Sequence, residues 1–86
     1  MANVDSAKKR IRQTEKRTAR NKHVRTIVRT VMKRVREALA GKDKKAATTA
    51  LASAVKSIDA AVSKGVYPRK TGSRYVSRLS AQVAAL

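Results

Sequence analysis

The sequence predicts an all-α fold, a three-helix bundle whose long N-terminal helix overhangs it. Three observations predict it. Apolar residues recur at three- and four-residue steps in three separate stretches, Gly41 and Gly65 interrupt those stretches, and the positive charge is concentrated in the first of them.

Residues 6–40 read as one helix, about 50 Å long at 1.5 Å per residue. From Val24 onward the large apolar residues Val24, Ile27, Val28, Val31, Val35 and Leu39 gather on one side, with Arg25, Arg29, Lys33 and Arg36 on the other. Toward the N-terminus charge takes over the apolar stripe. Lys9, Arg10, Arg17 and Arg20 occupy the bearing held by valines further on, so this half reads as charged round its circumference, with no face to bury in its own protein. Residues 6–36 hold thirteen Lys and Arg against one acid, Glu15, which places +12 of the chain's +17 there. Met1 to Val4 reads as a short tail, and Asp5 or Ser6 offers a side-chain oxygen to cap the first turn. Gly41 is expected to end the helix in a left-handed conformation, which a residue without Cβ adopts at no steric cost.

Asp43 then caps a second helix, about residues 44–64, and so short a connection makes the two helices antiparallel neighbours. Ala47, Ala50, Leu51, Ala54, Val55, Ile58, Ala61 and Val62 form its inward face, whose small residues allow close approach of the axes. Gly65 is its stop, with Val66 closing the cap. A helix of that length covers only about residues 20–40 of the first, so residues 6–19 overhang by roughly 20 Å. The single domain, residues 1–86, thus divides into a basic helical arm at about 6–23 and a bundle at about 24–86. Helix three takes Tyr75 or Val76, Leu79, Val83 and Leu86 as its inward stripe. It starts either with Pro68 as its first residue or with Thr71 as its cap and Gly72 just inside. Antiparallel geometry sets Arg69, Lys70 and Arg74 at the base of the arm.

Composition narrows the function. A pI near 11.6 on 9.4 kDa marks a binder of polyanions. No apolar run approaches the ~20 residues of a membrane span, and no apolar segment follows the basic N-terminus as in a secretory signal. With no cysteine, disulfides and thiolate metal sites are excluded. No catalytic residue, metal site or cofactor is expected. His23 is the only histidine, and the acids Asp5, Glu15, Glu37, Asp43 and Asp59 read as caps or ion-pair partners.

The ordered set Met1-Ala2-Asn3, Ser6-Ala7-Lys8-Lys9-Arg10, Arg20-Asn21-Lys22, Arg29-Thr30, Ser63-Lys64-Gly65-Val66 and Ser77-Arg78-Leu79 resembles the bacterial small-subunit ribosomal protein twenty, or S-twenty, family across essentially the whole chain. The resemblance implies a three-helix bundle with a long first helix. It also implies a cytoplasmic, ribosome-bound structural protein that binds 16S rRNA directly, at the 5′ domain and the long helix near the 3′ end. Few or no protein contacts and no membrane contact are expected. Where the family commonly has His-Lys-Asn after Gly65 and two hydrophobic residues, this chain has Pro68-Arg69-Lys70. Helix three also ends in neutral residues where many relatives are lysine-rich, which gives its C-terminal half to the core.

Contact with phosphate is expected from Lys8, Lys9, Arg10, Arg12, Lys16, Arg17, Arg20, Lys22, Arg25, Arg29, Lys33 and Arg34, then Arg69, Lys70, Arg74 and Arg78. Each phosphate neutralised releases condensed counterion, and arginine's planar fork takes two phosphate oxygens at once. Asn21, Thr14 and Thr18 offer hydrogen bonds to phosphate or 2′-hydroxyl. Single-strand readers stack bases on aromatic side chains. Here the only aromatics are Tyr67 and Tyr75, which read as helix-packing residues. The expected mode is therefore recognition of folded RNA by shape and backbone, holding together segments that would otherwise repel. The rival reading is a DNA-compacting or basic helical DNA-binding protein. A leucine zipper is disfavoured because no leucine heptad follows the basic stretch.

Overall fold

A computed structural model describes residues 2–86, with side chains from residue 4 on. Among the described residues there are three helices and no strand: α1, Ala2–Ala40, α2, Lys44–Ser63, and α3, Arg69–Ala85. The helical stripe of apolar residues accounts for the core. Val24, Val28, Val31 and Val35 of α1 meet Ala47, Ala54, Ile58 and Ala61 of α2, and Leu79 and Val83 of α3 complete the cluster with Val66. Ile58, Val28 and Val35 are the largest fully buried side chains. The buried alanines of α2 stand seven residues apart, which keeps a flat, small-residue seam toward α1. Ile27 departs from the expected stripe and is 41% exposed. At 100° per residue it sits about 70° to one side of the buried valines. The half-buried Met32 is displaced to the opposite side, which α3 covers, whereas no helix covers the side of Ile27. Leu86 is 38% exposed because it lies past the last helical residue, Ala85.

The ends of the helices show where local chemistry rules. Rather than being capped at Asp5 or Ser6, α1 is already helical from Ala2, which replaces the expected tail, and Met1 lies outside the described residues. Asp5 lies in its first turn, where a carboxylate meets the positive end of the helix dipole. At the other end the left-handed residue is Lys42, φ 53°, and not Gly41. The Asp43 amide donates to the Ala38 carbonyl at 3.2 Å and the Lys42 amide to that of Leu39 at 3.1 Å. This crossed pair puts the turn one residue later than the glycine, with a Cβ-bearing residue in the αL position. Asp43 caps α2 as expected, its Oδ1 accepting from the Ala46 amide at 3.1 Å. The same crossed pair closes α2: Val66 donates to Ala61 and Gly65 to Val62, both at 3.0 Å, with Gly65 at φ 76°. Val66 is buried against the cluster, which is the hydrophobic contact this cap favours.

Neither expected start of α3 is correct. Pro68 is the N-cap, extended at φ −61° and ψ 150°, and its carbonyl accepts from the Gly72 amide at 3.1 Å. Proline suits the position because its ring fixes φ and it has no amide to leave unsatisfied. Gly72 lies inside the helix and buried. A Cβ there would stand 2.5 Å from Val62 Cγ2 and 3.4 Å from Ile58 Cγ2, so the glycine is what lets α3 lie down on α2.

A candidate nucleic-acid interface

Every residue from Val4 to Arg20 is exposed; Asn21 is the first half-buried position and Val24 the first buried one. The cause is length: α1 has 39 residues against 20 in α2 and 17 in α3. The result is a body of 63 × 21 × 14 Å with a radius of gyration of 17.5 Å, against about 12 Å for a compact chain of this length.

All sixteen lysines and arginines expected to meet phosphate are exposed. Their bearings on α1 are not uniform. On a wheel of 100° per residue, Lys8, Lys9, Arg10, Arg12, Lys16, Arg17 and Arg20 span about 200°, centred on the bearing of the exposed Ile27, about 70° from the buried valines. Shallow grooves lined by Lys9, Arg12, Gln13 and Lys16 and by Gln13, Lys16, Arg17 and Arg20 run along this side. The arm is therefore not charged all round. Val4 and Ile11, 49% and 58% exposed, share with Ala7, Thr14 and Thr18 a strip free of cations. Past Asn21 the pattern inverts, and Lys22, Arg25, Arg29, Lys33 and Arg36 occupy the bearing of that strip, about 160° from the centre of the arm's cations. Only Arg34 keeps the arm's bearing. Two cationic faces thus point to opposite sides of one helix.

On α3, Lys70, Arg74 and Arg78 follow at four-residue steps opposite Gly72, Leu79 and Val83, forming one outward row. Arg69 instead lines a groove with Asp59 and Val62 of α2. The turn into α3 lies beside α1, where Tyr67 and Arg25 share a cleft. Asn21 fits the expected set least well: its Oδ1 is shielded from solvent and has no hydrogen-bond partner among the described residues. Thr14 is also altered, since its hydroxyl already donates to the Arg10 carbonyl at 2.9 Å and only its lone pairs remain for a ligand.

The expected contact set left out Arg36, although the helical stripe already put it in the row of Arg25 and Arg29, and the partly open setting of the tyrosines was not foreseen. The two rings pack against the core as expected, edge to face at 5.9 Å and 77°, and Arg74 lies 5.8 Å from the centre of the Tyr75 ring. Both also face a cleft of about 410 Å³. Among the described residues no group of acids and histidine is placed to hold a metal ion, and no helix is long and apolar enough to cross a membrane.

The sequence model of the family described as Ribosomal protein S20 matches residues 2–84. Full-length similarity agrees with it. The chain is 58% identical to the small ribosomal subunit protein bS20 of Geotalea daltonii, over 100% of this chain and 99% of the relative. The protein of the same name from Ruegeria is 51% identical and that from Lachnoclostridium phytofermentans 48%, each over 100% of this chain and 99% of the relative. With a three-helix architecture and a match that leaves out only the first residue and the last two, this chain belongs to the ribosomal protein S20 family.

Proposed function

We propose that this protein binds folded 16S rRNA through the phosphate backbone and holds separate RNA segments together during and after assembly of the small subunit. As a member of a ribosomal protein family it is a structural constituent of the ribosome, in the cytoplasm, and not an enzyme. The observation that carries the finer reading is the pair of opposed cationic faces on α1. A rod with both faces basic neutralises two polyanionic segments at once, lowering the repulsion between them. The arm, the outer face of α1 and the row on α3 serve as contact surfaces, with Lys8, Lys9, Arg10, Arg12, Lys16, Arg17, Arg20, Lys22, Arg25, Arg29, Lys33, Arg34, Arg69, Lys70, Arg74 and Arg78 as the contacting side chains. Asn21 contributes through its amide nitrogen, since its oxygen is covered. The 5′ domain and the long helix near the 3′ end are the two segments the family resemblance suggests, with few or no protein contacts.

Titration against folded small-subunit rRNA and against mixed-sequence duplex DNA, at several salt concentrations, tests this reading. Six to ten phosphate contacts imply a loss of roughly 10³–10⁵ in affinity between 50 and 200 mM salt, and the rRNA is expected to bind more tightly at every point. Equal affinity for both would leave a generic polyanion or DNA-binding protein.

A further inference from the structure

The cleft beside Tyr67 is not explained by backbone recognition. Arg25, Arg29 and Arg36 line one wall along α1, with the apolar Val28 and Met32 among them. Tyr67 and Tyr75 line the other. Two devices already described fix the tyrosine wall: the buried cap residue Val66 precedes Tyr67, and Gly72, seated on α2, stands one turn before Tyr75. Among the described residues no acid lines this cleft, so three guanidinium groups on one stripe stand without a counter-charge in its walls. A pair of rings that served packing alone would be closed over by α1. Here the apolar Val28 and Met32 of α1 are flanked by arginines, and a space of about 410 Å³ remains, at the small end of ligand clefts of ~300–1,000 Å³.

We propose that this cleft receives one unpaired nucleotide of the bound RNA, its base against Met32 and the two tyrosines and its flanking phosphates on Arg25, Arg29 and Arg36. The proposal rests on the rRNA-binding reading and adds a mode to it. A paired duplex presents phosphates to the arginine wall but no free base to the aromatic one, whereas an extruded nucleotide fills both. The base is accommodated by shape and polarizability, without readout of its identity.

The chain has two tyrosines and no tryptophan or phenylalanine, so the tyrosine emission of the intact protein reports from this cleft alone. Saturation with folded small-subunit rRNA is expected to quench that emission strongly, while saturation with fully paired RNA duplex leaves it near the value of the free protein. Equal emission in the two complexes overturns the proposal and leaves rRNA binding standing. Failure of the wild-type chain to prefer rRNA over duplex DNA overturns both. In parallel, Tyr75→Leu with helicity unchanged is expected to lose about ten- to hundred-fold in affinity for rRNA, the scale of one stacked base. Its salt dependence should not change, because every phosphate-binding cation is kept. Retained rRNA affinity in that variant overturns the proposal, and the quenching result, which needs no variant, decides if Tyr75→Leu does not fold.

Discussion

Gly72 is the residue on which the bundle's geometry turns. Its missing Cβ is the space into which Val62 Cγ2 fits, so Gly72→Ala is expected to destabilise the fold by about 1–3 kcal/mol despite alanine's better helix propensity. For a chain of this size that lowers Tm by about 4–8 °C per kcal/mol, readable by thermal circular dichroism. A Val62→Ala change should recover part of the loss in the double variant, because it removes the atom that collides; a strictly additive pair would show that the clash is not the cause. The mirror case is Lys42, which holds a left-handed conformation that a side chain disfavours. Lys42→Gly is expected to raise stability by about 0.5–1 kcal/mol in urea unfolding, the relief of strain outweighing the added freedom of the unfolded chain. Loss of stability in that variant would mean that the Lys42 side chain contributes something beyond its backbone.

Helix α1 obeys two physical regimes along one continuous backbone. Beyond Val24 its hydrogen bonds are covered by α2 and the cap of Val66, while from Val4 to Arg20 every side chain is exposed and no described element packs on the helix. Short helices without tertiary packing are marginal in water. Amide hydrogen exchange on the free protein is therefore expected to show fast exchange over residues 4–20 and protection over 24–83, with the arm slowed on adding rRNA; uniform protection from residue 6 would contradict it. The elements were legible in the sequence where one strong local signal decided them: the valine stripe, the Asp43 cap, and Gly65 with Val66. They were misread where two signals competed. Gly41 drew the left-handed position one residue too early, and Pro68 was weighed as a first helical residue, against Thr71 as the cap, when it is itself the cap. Ile27 fits the period, yet its exposure depends on which side α3 takes, which no local pattern encodes. The cation-free strip from Val4 to Thr18 was present in the spacing and was hidden by the density of charge on either side.

At the scale of the whole molecule, the inversion of charge past Asn21 gives α1 two cationic surfaces set back to back. Reversing charge on one face, as Lys9→Glu with Arg17→Glu, and on the other, as Arg25→Glu with Arg29→Glu, should each weaken rRNA binding and lower the salt slope by about one unit for every phosphate left unneutralised. Crosslinks from the two faces should fall on RNA segments distant in sequence; crosslinks to one continuous segment would reduce the protein to a one-sided binder. The exposed arm has a second consequence. Its seven lysines and arginines between Val4 and Arg20 are all cleavage points for a trypsin-like protease, and helix opening there costs almost nothing in the unbound chain. Limited digestion should trim free copies back to the bundle while leaving RNA-bound copies whole, so the surviving full-length fraction counts the copies held by RNA.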